Sequence, residues 1–507
     1  MRGGAVVVVG GSIAGCAFAS AAVRAGAGEV VVLERTRGRL ADRGVGLCVH
    51  DDRAAELVAA GALPAGIPAH RLERRRWVVR DPAAGAGGRL IWEQPFPFHS
   101  YHWGLLWRGL REAVPGSVDY RQGVAVAAVE ADGDGVRVRY GGAASGGDGD
   151  GGRGGDADGG RGGDAVGGRA GGRAGDGDGA GDRTGSAVGG GAGDRAGGGG
   201  GRGGDADGGA ALGGDAALGG DADGGAVGDG GAVGDGAGDR AGGGGRGGER
   251  FDLAVGADGY RSVVREAVSP GAVPHYAGYV CWRGNFDAGL LDGLGGAPSH
   301  PEAVTTICYP GGSCVIYRIP GPQGPRVNWV LYAPPPTGAG LRFDDPTSFP
   351  PGALGGELAG HLRTLLEQEF PEYWARALAL TAPGDTFVQP IYDLVTEPAA
   401  AGRLLLAGDA ASVVRPHNTS GAAKALQDAT AFGAAWARAS SWEELVAGYQ
   451  AARGAAGGQL VALARRLGRA QVERTPAWAH MTTAEAAAWW EAQLAGAAGI
   501  GGQAMPS

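Results

Sequence analysis

The first 34 residues constrain the fold more tightly than any other stretch of the chain. Ala5 to Val9 is an unbroken apolar run, the pattern of a strand covered on both faces. It leads into Gly10-Gly11-Ser12-Ile13-Ala14-Gly15 and then into an alanine-rich helix. A second apolar strand, Glu29 to Glu34, ends in an acid 24 positions after Gly10. Each part has a physical task in a unit that holds a dinucleotide. Gly10 permits a tight turn, Gly15 lets helix and strand approach closely, and Ser12, Ile13 and Ala14 open the helix with amides that can meet a pyrophosphate. Glu34, followed by Arg35, is placed to accept ribose hydroxyls, which favours FAD or NAD over NADP. Ser12 stands where the fingerprint has glycine, but serine is small enough to let a phosphate approach. This order of strand, turn, helix, strand and acid predicts a Rossmann-type parallel sheet.

Length is a poor guide to the rest. Of 507 residues, 107 are glycine, and the excess is concentrated between about 141 and 248. There the chain is Gly, Asp, Ala and Arg in imperfect repeats: "GAGDRAGGGG" begins at Gly191 and recurs from Gly236. No repeat carries an apolar face, so the segment cannot offset its ordering entropy and is predicted to be disordered. It sits between two strand-like stretches, "GVRVRY" and "RFDLAVGADG", and therefore reads as an expanded strand-to-strand loop. Loop-closure entropy grows slowly, by about 0.6 kcal/mol per doubling, so a fold tolerates such an insert. About 400 residues remain, enough for two packed domains.

A formal charge of -9 argues against a nucleic-acid partner. No apolar run reaches the roughly 18 residues of a membrane span, so no membrane partner is expected. Five cysteines without metal-type spacing point to a reducing compartment, a cytoplasmic location and no metal site. Cys308 and Cys314 flank a hairpin turn, "CYPGGSC", and could face each other.

Two further signals follow the fingerprint. "LAVGADGYRSVVR" carries Asp258 and Gly259 after a strand, with Arg261 and Arg265 beyond. "GRLLLAGDAASVVRPHNTSGAAKALQDA" carries a buried strand that ends in Gly408 and Asp409, then a polar loop from Pro416, then a helix that begins near Gly421. Asp409 is suited to a ribityl hydroxyl, and the helix N-terminus can direct its positive dipole at the pyrimidine edge of a flavin. Lys424, the one lysine of the chain, falls in the first turn of that helix, where a cation opposes the macrodipole. It reads either as a site residue or as a solvated surface lysine. From about 273 to 394 short β-rich runs alternate with Gly and Pro turns, an antiparallel sheet. "TTAEAAAWWEAQL" opens with a capping box, Thr482 and Glu485, so the C-terminus is predicted to be helical.

The fingerprint, the Asp-Gly turn and the Gly-Asp turn, in this order, resemble the FAD-dependent aromatic hydroxylases. "VVGGSIAG", "RGVGL", "YAGYVCWRG", "NWVLY", "QPIYDL" and the long C-terminal stretch above resemble the 2,6-dihydroxypyridine 3-monooxygenase-like group in particular. Ser412 and Gln427 depart from it, where relatives often carry a larger residue and an acid. The resemblance implies an α/β fold, α+β overall, of discontinuous domains. An FAD-binding domain would take 1–68, 100–140, 249–272 and 395–474. A substrate-binding domain would take 69–99 and 273–394, with a helical tail at 475–507. It implies one FAD, and NADH or NADPH as a transient reductant without a second nucleotide domain. It implies a small electron-rich aromatic or N-heteroaromatic substrate, hydroxylated with O2 through a flavin C4a-hydroperoxide, and leaves a homodimer open. By position, Arg43 and Arg108 resemble arginines beside the cofactor, though each also reads as a surface charge. Pro416 and His417 would face the flavin ring. His417, with an ordinary pKa near neutrality, would handle the substrate hydroxyl proton or else cap its loop. Trp282, Trp329 and Gln389 would line the pocket, unless the tryptophans are core. An FAD-dependent oxidase or reductase and a non-catalytic FAD-binding protein remain as alternatives.

Overall fold

Val6, Val7 and Val8 are fully buried because a strand lies on each side of them. In the computed structural model, which describes residues 3–38, 45–141, 248–295, 300–337 and 354–497, Ala5–Val9 pairs in parallel with Glu29–Glu34 and with Leu253–Gly256. Leu404–Leu406 and Asp119–Gln122 extend the sheet in parallel on its two sides, and Ala400–Ala401 adds an antiparallel edge. The strands are short, buried and rich in Val and Leu, as parallel strands covered on both faces must be. Their common direction sets the turns after Val9, Gly256 and Leu406 at one carboxyl edge. That edge is where open α/β sheets bind ligands. Helices Ile13–Ala25 and Gly421–Arg438 pack together on one face, with Phe18 against Phe432 at 5.2 Å between ring centroids. All described residues fall in one compact unit.

The second sheet has nine strands. His275–Asp287, Arg326–Ala333, Gly312–Ile319 and Ala303–Tyr309 form the antiparallel centre that the short β-rich runs predict. Phe387–Val395 flanks it on one side, and His70–Val79 and Arg89–His102 on the other. One pairing is parallel, Ala303–Tyr309 with His70–Val79. Gly46–His50, within the stretch read as nucleotide-binding, pairs instead with Arg89–His102 in this sheet, so one continuous β layer reaches back to the dinucleotide unit.

The period of two along each strand sorts the side chains. Trp282, Trp329 and Leu331 point to a face covered by helices Gly356–Glu369 and Glu372–Leu378 and form an apolar core there. Trp329 Nε1 donates to Thr381 Oγ1 at 2.8 Å. Of the two readings of these tryptophans, pocket lining or core packing, the structure has the second: both are core residues. Tyr279, Cys281, Tyr332 and Ile391 occupy the opposite face, and Gln389 sits there by its register with Cys281. Cys308 pairs with Ser313 while Cys314 pairs with Ile307, so the two thiols lie on opposite faces and all five cysteines are free.

Helix Trp442–Gly468 ends in a π-helical turn, Arg469–Glu473, and the chain continues to the capped helix Thr483–Leu494. Trp478, Trp489 and Trp490 from this tail pack around Trp77 at 5.2–5.9 Å between centroids, which fastens the tail to the sheet. Among the described residues no helix is long and apolar enough to cross a membrane.

The Gly-rich segment, and the disorder expected of it, lie outside the described residues, as does Arg43. The strands on either side of the segment pair with each other, Val136 with Phe251 and Val138 with Glu249. Deleting residues 146–247 leaves a short link between strands that are already paired. The truncated protein is expected to keep its thermal midpoint to within about 3 °C in a calorimetric scan, because a shorter loop lowers closure entropy. A loss of cooperative unfolding would contradict this.

Candidate functional site

The three glycine-containing turns meet at the carboxyl edge of the parallel sheet. Gly10, at φ +98°, lies against the second turn: a Cβ there would come 2.4 Å from the Ala257 carbonyl oxygen. Gly408, at φ +54°, lies against the fingerprint helix, where a Cβ would come 3.2 Å from that of Ala14. Arg265, buried, joins the second and third turns through the carbonyls of Tyr260 and Ala410. Segments some 250 and 400 positions apart in sequence thus form one cradle.

The fingerprint turn is held firmly. Glu34 is buried, and its two oxygens accept from the Gly11 amide at 2.7 Å and the Thr36 amide at 2.9 Å. The Gly11 carbonyl accepts from Trp107 Nε1 at 2.9 Å and from the Tyr120 hydroxyl at 2.8 Å. Sequence reasoning missed both aromatic residues; only the fold carries them to the turn. Arg35 and Arg108 are exposed. Helix Ile13–Ala25 has no side-chain cap at Ser12 and no acid in its first turn. Helix Gly421–Arg438 likewise has neither. Helices Asp51–Ala59, Trp103–Glu112, Val263–Val268, Trp442–Gly468 and Thr483–Leu494 are all capped by side chains. Helices Gly356–Glu369 and Glu372–Leu378 also lack a side-chain cap but carry Glu357 and Glu372 in their first turns; the ends of Ile13–Ala25 and Gly421–Arg438, with neither cap nor acid, keep their amides available for an anion or for a ring carbonyl.

The aspartates of the other two turns differ. Asp258 Oδ2 accepts from the Val263 amide at 2.8 Å and so shapes its turn, while its buried Oδ1 has no partner among the described residues. Asp409 is exposed at the rim of the cradle. Burial among surrounding atoms raises its pKa, and Lys424 pulls it back down.

Lys424 does not stand in solvent, as one reading of the sequence allows. It is 2% exposed, and its Nζ donates to the Gly408 carbonyl and to Asp428 Oδ2, the latter at 3.3 Å. Asp428 also accepts from the Gly408 amide at 2.9 Å and from Arg453 Nε at 2.6 Å. This buried lattice grips both the amide and the carbonyl of Gly408, so Lys424 helps to fix the third turn. Of the two departures from the aromatic-hydroxylase pattern, Ser412 is a buried side chain beside Gly457. Gln427, with its amide oxygen turned to Arg53, accepts from Arg53 Nη1 at 2.9 Å.

The polar loop after the third turn faces the second sheet. His417 is buried, its Nε2 hydrogen-bonded to the Tyr279 hydroxyl at 2.8 Å, and its ring lies 4.1 Å from that of Tyr332. Burial first, and then the charges of Arg415 and Arg75, push its pKa down to about 3. The expectation of an imidazole that titrates near neutrality is corrected: at neutral pH His417 is an uncharged hydrogen-bonding residue. Arg415 anchors the loop by pairing with Asp393 at 2.7 Å and with Glu473 of the π-helical turn at 3.0 Å. Burial opposes ionisation of Asp393, but hydrogen bonds from Arg465 and Arg415 outweigh it and hold the carboxyl below its usual range. After Pro416 and His417, Thr419 adopts φ +54°, a left-handed conformation that costs a β-branched residue of order 1–3 kcal/mol. Such strain at the entry to an uncapped helix is typical of a binding loop. Among the described residues no group of three His, Cys, Asp or Glu side chains could hold a metal.

Known proteins resemble this chain in sequence and in fold. A family model described as an FAD binding domain matches residues 365–464. Two curated relatives are 32% identical over 189 residues, a 2,6-dihydroxypyridine 3-monooxygenase of Paenarthrobacter nicotinovorans, and 30% identical over 206 residues, a 3-amino-4-hydroxybenzoate 2-monooxygenase of Streptomyces cremeus. The matches cover 34% and 40% of this chain and span just under half of each relative, 46% and 45%. The structure of 2,6-dihydroxypyridine-3-hydroxylase from Arthrobacter nicotinovorans superposes over 94% of both chains with a TM-score of 0.63 at 19% identity. Klebsiella pneumoniae HpxO, in complex with FAD and uric acid, superposes over 97% of this chain and 93% of its own with a TM-score of 0.60 at 16% identity. The chain has the fold of the FAD-dependent aromatic hydroxylases. Within that fold the turns after Val9, Gly256 and Leu406 form one cradle, and the Tyr279 and Tyr332 face of the nine-stranded sheet packs against His417 of the Pro416 loop.

Replacing Lys424 by Met is expected to cost about 3 kcal/mol in chemical denaturation, because it leaves Asp428 with one cation fewer in a buried site. The same variant is expected to retain less FAD on gel filtration. Lowered pH gives a second check. The His417 pKa is depressed in the folded state, so the unfolded chain binds a proton between about pH 6.5 and 3 that the folded chain does not. The histidine's contribution is thus complete above pH 6.5 and is lost as pH falls through that window. His417→Asn is expected to flatten that part of the stability profile relative to the parent protein.

Proposed function

We propose that the protein is an FAD-dependent monooxygenase that hydroxylates an electron-rich aromatic or N-heteroaromatic ring with NAD(P)H and O2. The observation that carries this reading is the convergence of three distant turns at one sheet edge, with the loop that follows the third packed on Tyr279 and Tyr332 of the second sheet. The residues present suit FAD. Glycine turns leave no Cβ in the way, two helix N-termini keep uncapped amides, Asp258 keeps a buried oxygen unpartnered, and Asp409 projects at the rim. When bound, FAD would supply the redox chemistry, accepting hydride from NAD(P)H and activating O2 for transfer of one oxygen atom to the ring.

The protein's own contribution would be positional. The amides that open Ile13–Ala25 would meet the pyrophosphate, Glu34 would accept ribose hydroxyls, and Asp409 a ribityl hydroxyl. The amides that open Gly421–Arg438, with Lys424 and Asp428 fixing the turn beneath, would stabilise negative charge on the flavin pyrimidine edge. The loop Pro416–Asn418 would cover the ring and exclude water. On the sheet side, burial raises the pKa values of Tyr279 and Tyr332, so both phenols keep their protons; the Tyr279 hydroxyl is engaged with His417 and Arg415, and Tyr332 would be the donor toward a ring oxygen. With His417 neutral, the site orients a substrate hydroxyl through hydrogen bonds and has no imidazolium to compete for it.

The test is NAD(P)H oxidation by the FAD-loaded protein, screened with phenols, hydroxypyridines and hydroxybenzoates under labelled dioxygen. A ring that accelerates oxidation and emerges carrying one labelled oxygen atom is the expected result. Oxidation that yields hydrogen peroxide with every ring, and no labelled product, would refute the reading.

A further inference from the structure

We propose that a recess beneath the third turn binds one halide ion, held between Lys424, Arg453 and the hydroxyls of Ser412 and Thr396. The site does not depend on the reaction assigned to the protein.

The recess is walled by Thr396, Ser412, Lys424, Asp428, Tyr449 and Arg453. Ser412 and Thr396 stand side by side, because Ser412 pairs with Val395 and the Thr396 amide donates to the Ala411 carbonyl at 3.2 Å. Both residues are 2% exposed, and neither hydroxyl has a hydrogen-bond partner among the described residues. Helix Trp442–Gly468 adds Gly454 and Gly457 to the wall. A Cβ at Gly457 would come 2.8 Å from Ser412 Oγ, so glycine there keeps the space open. Ser412 does the same from its own side, since it stands where the hydroxylase pattern often has a larger residue, whose bulk would fill the recess. The centre has room for about one water molecule. Of the wall residues named, Arg453 alone is partly exposed, so the entry lies beside it.

Charge decides what this space takes. Two cations line it and one carboxylate. Asp428 Oδ2 already accepts from the Gly408 amide and Lys424, and its Oδ1 from Arg453. Asp409, which Lys424 also attracts, is exposed at the rim and outside the wall. An ammonium carries three N–H donors and a guanidinium five, more than Asp428 and the Gly408 carbonyl take up, and the two hydroxyls can turn their hydrogens to the same point. A water molecule would satisfy the hydroxyls but leave one positive charge of the wall unbalanced, and a metal cation would add to it. A monatomic anion accepts from every one of these groups and balances the charge through charge-assisted contacts. Sulfate and organic acids are too large for the space. Because Lys424 and Asp428 hold the Gly408 peptide, the bound ion would brace the third turn of the cradle.

The test uses the full-length FAD-loaded protein, in which the cofactor's own phosphates fill the other anion site. Its thermal midpoint is followed as sodium chloride or bromide replaces sodium gluconate at constant ionic strength. A rise of about 2 °C or more by about 100 mM halide is expected, the shift given by a site filled well above its Kd. Ser412→Ala and Thr396→Val each remove one hydroxyl with little change of shape, and each is expected to lose most of that rise while keeping its FAD. Crystals grown in bromide are expected to show an anomalous scattering peak between Ser412 and Thr396. A midpoint equal in gluconate and halide, a rise that persists in both variants, or crystals whose recess holds water and no bromide would overturn the inference. Should either variant fail to fold, the bromide crystals of the parent protein decide.

Discussion

A methyl group on Gly15 would lie 1.8 Å from the carbonyl oxygen of Gly10, and one on Gly10 would intrude on the Ala257 carbonyl just as severely. Backbone-to-backbone approach of this kind is open only to glycine, and the rest of the site depends on it. Because the first helix can sit directly on its strand, its N-terminus reaches the sheet edge. Because the fingerprint turn can sit directly on the Asp258 turn, two segments far apart in sequence share one edge. Gly408 completes the set from the far side, close to Ala14 and Ala425.

What glycine permits, buried charge then fixes. On the nucleotide side Asp428 is flanked by Lys424 and Arg453, and on the sheet side Asp393 is flanked by Arg415 and Arg465. In each case one nearly inaccessible carboxylate ties together elements that hydrophobic packing alone would leave free to slide. Helix Gly421–Arg438 is tied to the Gly408 turn and to helix Trp442–Gly468, and the Pro416 loop to strand Phe387–Val395 and the helix that ends in the π-helical turn. Such pairs add little net stability over well-packed apolar residues, but each geometry is unforgiving, which suits a cradle that must hold its shape.

The large sheet divides its labour by the pleat. One face is an apolar core of tryptophans and leucines under two helices; the other carries hydroxyls, a thiol and guanidiniums toward the loop at His417. The tryptophans of the tail close the end of the sheet against Trp77, with Arg75 stacked 4.0 Å from that ring.

The sequence by itself determined the dinucleotide unit, the carboxyl-edge turns, the antiparallel middle and the capped last helix. Those features are local: a glycine at a turn, an acid at a strand end and a capping box each act within a few residues of where they are written. It also singled out Lys424 and His417, but not what surrounds them. Lys424 is buried because Asp428 and the Gly408 carbonyl surround it, and the pKa of His417 is lowered because burial, the adjoining Arg415 and the distant Arg75 oppose its proton. The facing direction of Trp282 and Trp329, and the arrival of Trp107 and Tyr120 at the Gly11 carbonyl, were equally invisible. Burial and charge at a point are sums over everything that folds around it, and only the tertiary structure performs that sum.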